Sequence, residues 1–304
     1  MPSPSLSIGL DVGGSTSVLV AEDSRASGLV RRTGPAANPQ RIGMEETARI
    51  LVDLVREGVR RPVADGQLSV CAGVAGAGQA DEQAALADRL RSALLGMAAT
   101  VQVCVLHDAQ IALEAAFGDD SGVIVVAGTG SVGVARTQTG AVHRVGGWGY
   151  LLGDPGSGYA LGRAGLRAVV RMTEGGAQTA LRDKVQRRFG LDSREEFIRT
   201  VYDDAFRVQE AAPLVLEAAA DGDAVASRIL MAQVDELAQQ VAWLIGQCDA
   251  VRPRMALLGG MTKNDHYLHC LRQALSERLA GWAIERLTTP PVMGALNVAR
   301  RRGQ

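Results

Sequence analysis

The sequence predicts an α/β protein in two lobes. Three observations lead there. The chain has 304 residues, enough for two domains of about 150 each. Short apolar runs alternate with segments whose apolar residues keep helical spacing. And an apolar strand, a glycine- and hydroxyl-rich turn and a second apolar strand occur twice, at Leu6–Ala21 and at Gly122–Arg136. That is an internal repeat of supersecondary structure rather than of letters.

The elements follow in order. Leu6–Leu10 and Ser17–Ala21 flank the first turn, and Gly28–Arg32 is a third strand. Gly34–Pro39 reads as a loop, and Gly43–Glu57 as a helix with Met44, Ala48, Leu51, Leu54 and Val55 on one face. Leu68–Ala72 is a buried strand, Ala84–Leu95 a helix, Val101–Leu106 a strand and Ala109–Phe117 a helix. After Gly118-Asp119-Asp120 the pattern restarts with Gly122–Ala127, Val132–Arg136 and Ala141–Val145 as strands. Helices are expected at Tyr159–Met172, Ala177–Phe189, Arg194–Tyr202, Ala224–Cys248, Asp265–Leu279 and Val292–Arg301, with strands at Met255–Leu258 and Ala283–Leu287. The lobes are expected at 1–118 and 119–291, the last helix (292–304) being a candidate to pack back on the first.

Composition narrows the class. Hydrophobic residues are 47% and charged residues 21%, ordinary for a globular protein. With 32 Lys+Arg against 33 Asp+Glu the net charge is −1, so nucleic acid is not an expected partner. No apolar run reaches the length of a membrane span, and Met1–Leu6 runs straight into a strand, so a cytoplasmic location is expected. Cys71, Cys104, Cys248 and Cys270 form no C-x-x-C pair and read as free thiols rather than a metal site.

Chemistry concentrates in four places. The first is Asp11-Val12-Gly13-Gly14-Ser15-Thr16. Glycine lets backbone N–H groups approach an anion, Ser15 and Thr16 add hydroxyl donors, and Asp11 stands where a hydrated divalent cation could be held. A plain hairpin turn explains the glycines equally well in isolation. The second is Gly128-Thr129-Gly130-Ser131. With Gly133 it matches G-x-G-x-x-G, but a dinucleotide fingerprint needs a helix after the glycines, and a strand follows here. The chain has no Gly-Lys dipeptide, which excludes a Walker A loop. The third is His107-Asp108, closing a strand before a helix. Asp108 could cap that helix or accept a hydroxyl proton during phosphoryl transfer. The fourth is Gly146–Gly158, a glycine-rich loop in which the Trp148 ring and the Asp154 carboxylate suit a sugar face and its hydroxyls. Leu257-Leu258-Gly259-Gly260 before a helix could leave bare backbone for an adenosine.

In that order these pieces resemble the actin/hexokinase/Hsp70 phosphotransferase superfamily: Asp11–Thr16 is similar to its phosphate-1 motif, Gly128–Ser131 to phosphate-2 and Leu257–Gly260 to the adenosine motif. Gly147-Trp148-Gly149-Tyr150-Leu151-Leu152-Gly153-Asp154-Pro155-Gly156-Ser157 and Pro291-Val292-Met293-Gly294-Ala295 resemble more closely the BadF/BadG/BcrA/BcrD ATPase family and its N-acetylglucosamine kinases. The resemblance implies a two-lobed ribonuclease H-like (actin-like ATPase) fold with mixed five-stranded sheets flanked by helices. It implies an ATP-dependent kinase for the 6-hydroxyl of an amino sugar, N-acetylglucosamine or glucosamine. Asp108 is then the catalytic base. ATP is held by Asp11, Gly13, Gly14, Ser15, Thr16, Thr129, Gly130, Ser131, Gly259 and Gly260, with Mg²⁺ at Asp11 through water. The sugar is contacted by Asn38, Gly147, Trp148 and Asp154. A homodimer is implied as well. Pro155 departs from the pattern, where a glutamate is expected. The rival readings are an ATPase activator of a dehydratase, a broad hexokinase, a sugar-sensing regulator and a non-catalytic interaction protein.

Overall fold

The computed structural model describes residues 4–59, 62–203 and 205–303; Met1–Ser3, on which the expectation of no leader partly rests, lie outside them. The chain forms two compact units. One runs to Asp120 and takes up the chain again from Thr288; the other is Ser121–Leu287.

The first unit holds β1 (Ser5–Val12), β2 (Thr16–Asp23), β3 (Leu29–Pro35), α1 (Pro39–Ile42), α2 (Met44–Gly58), β4 (Val63–Val74), α3 (Ala80–Leu94), β5 (Ala98–His107) and α4 (Asp108–Phe117). Its sheet order is β3-β2-β1-β4-β5. β1, β2 and β3 are antiparallel neighbours, whereas β1, β4 and β5 run parallel. Ile8, Leu10, Leu68 and Val70 meet Leu51, Val55, Leu86 and Leu90 of the helices in one core. On the other side the C-terminal helix Pro291–Arg302 packs against β1 and α4. A Cβ on Gly9 would collide with the backbone of Val292 and Leu296, and one on Gly294 with the carbonyl of Ile111. Two glycines thus let backbone lie on backbone on both sides of this helix.

The second unit holds β6 (Gly122–Ala127), β7 (Ser131–Arg136), β8 (Val142–Gly146), α5 (Gly158–Thr173), α6 (Leu181–Phe189), α7 (Arg194–Val201), α8 (Ala212–Ala220), α9 (Ala224–Gly246), β9 (Arg254–Leu258), α10 (Asp265–Arg278) and β10 (Ala283–Arg286). Sheet order is β10-β9-β6-β7-β8, with three antiparallel strands and two parallel ones. Each unit therefore carries the same mixed five-stranded topology with helices on it. Leu161, Leu237, Val241, Leu257 and the fully buried Tyr267 belong to one core.

Among the elements that differ from expectation, three have a physical reason in the structure. The helix expected from Ala177 starts at Leu181, because Thr179 Oγ1 and Ala180 N–H donate to the Asp223 carboxylate and hold that stretch out of helical geometry. Asn38 caps a short helix that starts at Pro39, inside the expected loop. α8 was not expected: its sequence APLVLEAAA is apolar on nearly every side and shows no stripe.

Candidate active site

In the first unit, the phosphate-1 turn connects β1 to β2. Gly13 N–H donates to Thr16 O (3.0 Å), closing the hairpin. Gly14, Ser15 and Thr16 are exposed, so their donors stay open to solvent. Asp11 lies on β1 opposite Gly73 of β4, and Asp108 starts α4 directly after β5. Both residues stand at the carboxyl ends of parallel strands with β4 between them, so that their strands are two spacings or about 10 Å apart. Asp11 senses the Asp108 charge. Burial, and after it the Asp108 charge, pushes Asp11 up to about 6, while Arg31 pulls the other way. Asp108 is the first residue of α4 and His107 the N-cap: the Ala109 N–H points at both His107 Nδ1 (3.2 Å) and Asp108 Oδ1 (2.8 Å). His107 Nδ1 lies 2.7 Å from Asp108 Oδ1.

Asn38 reaches the same end of the sheet. Its Oδ1 caps α1 by accepting from Gln40 N–H (2.9 Å) and lies where a Cβ on Gly76, in the turn after β4, would be. Ala37 N–H donates to Gly13 O (3.4 Å), so the Asn38 loop and the phosphate-1 turn are joined. The unit brings Asp11, Gly13–Thr16, Asn38 and Asp108 to one edge.

In the second unit, the Gly128–Ser131 turn connects β6 to β7, and Gly128 N–H donates to Gly130 O (2.8 Å). Gly259, at φ +105°, follows the parallel neighbour β9, and a Cβ there would collide with Ala127. Gly259 and Gly260 therefore lie beside the Gly128–Ser131 turn, and at 259 only glycine allows that approach. The sugar-loop candidates are tied to the same turn. Gly147 N–H donates to Ser131 O (3.0 Å), and Gly158 N–H to Gly128 O (2.7 Å). Thr129 O accepts from Tyr159 N–H at 3.2 Å. The Ser131 hydroxyl is donated inward to Pro155 O (2.7 Å), so Pro155 supplies a carbonyl anchor where a glutamate was expected.

Asp154 is the most unusual residue here. It is 6% exposed, has φ +63°, and its Oδ1 has no hydrogen-bond partner. Burial raises its pKa, partly offset by N–H groups of Ser131 and Gly149 and by the charge of Arg144. Trp148, by contrast, is 76% exposed. Supporting residues without a sequence signal also emerge. Arg144 Nη2 donates to Gly147 O (2.9 Å), and the buried Tyr267 hydroxyl to Gly156 O (2.7 Å). Both lie in ordinary strand and helix patterns, where nothing marks them.

The family model for the BadF/BadG/BcrA/BcrD ATPase family matches residues 8–297. The chain belongs to that family. It is 29% identical over 302 residues to an N-acetylmuramic acid/N-acetylglucosamine kinase of Clostridium acetobutylicum, covering 96% of this chain and 97% of the relative. It is 28% identical to an N-acetyl-D-glucosamine kinase of Dictyostelium discoideum, with 98% of each covered. Among solved structures, a candidate N-acetylglucosamine kinase from Chromobacterium violaceum superposes with a TM-score of 0.74 at 23% identity, covering 97% of this chain and 98% of that one. A glucokinase of the ROK family from Streptomyces griseus superposes at 0.57 and 18% identity, with 97% and 98% covered. The fold is that of the actin-like sugar kinases. No helix of the described residues is long and apolar enough to cross a membrane.

Proposed function

We propose that this family member is an ATP- and Mg²⁺-dependent kinase that phosphorylates the 6-hydroxyl of N-acetylglucosamine or a close amino sugar. The observation that carries the reading is the Asp11–Asp108 arrangement: two carboxylates at the carboxyl ends of parallel strands, the half-buried Asp11 feeling the charge of the other. The names of the two curated relatives supply the acceptor class.

Asp108 takes the proton of the 6-hydroxyl. The sugar's 6-oxygen, losing that proton, forms the bond to the γ-phosphorus as the bond from that phosphorus to the β–γ bridging oxygen breaks, and ADP leaves. Gly13–Thr16 and Thr129–Gly130 offer donors to the phosphates, Gly259 and Gly260 leave room for adenosine, and Asn38, Gly147, Trp148 and Asp154 orient the sugar. Asp11 fits a cation: it is half-buried within reach of a second negative charge, and a hydrated divalent ion would offset both. Mg²⁺ held there would neutralise charge on the phosphates. The working form in this reading is a cytoplasmic homodimer.

The test is ADP release over a panel of hexoses, amino sugars, N-acetylated amino sugars and their 3-O-carboxyalkyl derivatives. Turnover is expected with the N-acetylated acceptors, and Asp108→Asn should lower kcat by at least about 10²-fold, the usual range for general-base removal. ATP turnover indifferent to any sugar, or a folded Asp108→Asn enzyme with normal kcat, would overturn the reading.

A further inference from the structure

A groove of about 370 Å³ runs between α5 and the first turns of α9 in the second unit. Arg167 and Arg171 reach it from α5, at four-residue spacing, and Arg228 from α9. Its floor is small and apolar, including Ala168 and Ala232, and no carboxylate lines it. None of the three guanidinium groups has a hydrogen-bond or ion-pair partner among the described residues. Other arginines of this chain do have carboxylate partners: Arg49 with Glu46 and Asp53, Arg278 with Asp235, Arg300 with Glu22, Arg301 with Glu114. The Asp223 carboxylate beyond the end of the groove is spent on Thr179, Ala180 and the N-terminus of α9. Like charges one helical turn apart repel. Three unpaired guanidinium groups over an apolar floor are the chemistry of a phosphate-bearing ligand with an organic body. The volume lies at the small end of the range for small-molecule sites, about 300–1,000 Å³.

Gln233 also lines this groove, and its Oε1 accepts from Gly156 N–H (3.2 Å). Gly156 is two residues beyond Asp154. The groove therefore touches, through one side chain, the backbone that presents the buried carboxylate of the sugar loop.

We propose that this groove is a second ligand site, one that binds a small phosphate monoester on Arg167, Arg171 and Arg228 and reports its occupancy to the Asp154 loop through Gln233 and Gly156. Binding depends on the groove alone. The response of the loop has a catalytic consequence only if the kinase reading holds.

The experiment is calorimetric titration of the full chain at constant ionic strength with inorganic phosphate, a hexosamine 6-phosphate, ADP and the unphosphorylated hexosamine. It uses wild type, the double variant Arg167→Gln/Arg228→Gln and the charge-matched control Arg49→Gln/Arg89→Gln. A binding event that requires phosphate, weakens at least about tenfold in the groove variant and persists in the control supports the site. Preference for the sugar phosphate over inorganic phosphate assigns the floor to the sugar body; equal binding of both assigns recognition to the phosphate group alone, and either supports the proposal. Phosphate binding unchanged in the groove variant, equal loss in the control, or response only to long polyanions overturns it. Hydrogen exchange at the Gly156 amide should slow on ligand addition in wild type and not in the groove variant; no change in wild type overturns the coupling. These readouts are separate from turnover, so failure here and failure of the kinase assay are distinguishable.

Discussion

Asp154 Oδ2 stands 2.5 Å from the place a Cβ on Gly130 would occupy. The carboxylate of the proposed sugar loop and the middle of the proposed phosphate-2 turn therefore share one space, and glycine at 130 is what leaves room. Gly130→Ala should push the Asp154 side chain out of its seat. KM for ATP and KM for the sugar are expected to rise together, with kcat/KM down by more than about tenfold, since a small misplacement of a positioning group has that scale of effect. Steady-state kinetics with each substrate varied in turn would check this. A rise in one KM alone would separate the two functions.

Asp154 is held at a cost to stability. Its carboxylate is buried, one oxygen has no partner, and its backbone is left-handed. Asn tolerates that backbone and carries no charge. Asp154→Asn is expected to raise Tm at pH 7 by a few degrees, on the order of 1 kcal/mol, while sugar KM rises at least about tenfold. The sign follows from the raised pKa: the penalty of the ionised group is present above the folded-state pKa and is relieved as pH falls through it. The Tm advantage of the variant should thus shrink on acidification, in thermal melts from neutral to acidic pH.

The Arg300–Glu22 pair joins the C-terminal helix to β2 with two contacts of 2.7 and 2.8 Å. The Arg300 hydrogen bond holds the Glu22 pKa below its ordinary 4.5. A depressed acid stabilises the fold above its unfolded pKa and loses that contribution as pH falls through the folded value. Both side chains are over a third exposed, so solvent screening keeps the contribution to roughly 0.5 kcal/mol. Glu22→Gln should lower Tm by about 1–2 °C at pH 7, and the difference from wild type should shrink towards zero as the pH falls through the acid range in which Glu22 protonates, as read by calorimetry.

Gly9 and Gly294 hold the C-terminal helix by backbone contact, on β1, which carries Asp11, and on α4, which begins at Asp108. Gly9→Ala places a methyl into the backbone of Val292 and Leu296, which have no flexible side-chain end to give way. Destabilisation of about 3 kcal/mol or more is expected by urea unfolding. Gly14→Ala, whose Cβ would meet nothing within 4 Å, serves as the neutral control.

The strand–turn–strand units were legible because apolar runs bounded by glycines leave a local signature. Boundaries slipped where a distant group intervened, as Asp223 did at Thr179 and Ala180. α8 escaped because a helix buried on most of its surface has no polar face to set a period. At the candidate site, residue types such as Asp11, Asp108, Trp148 and Asp154 stood out in glycine-rich turns or at strand ends. Their supports did not: Arg144 and Tyr267 act on carbonyls that only folding brings near.

By itself, the order of residues determined the repeated αβ pattern, the two glycine turns and the acidic and aromatic groups beside them, because these depend on neighbours within a few positions. Tertiary structure alone decided that Asp11 is half-buried within reach of the Asp108 charge, that one oxygen of the Asp154 carboxylate has no partner and the other lies against Gly130, and that three arginines of α5 and α9 share one groove. Burial and charge coupling are properties of surroundings assembled from separate strands and helices, and these come together only when each unit's core closes.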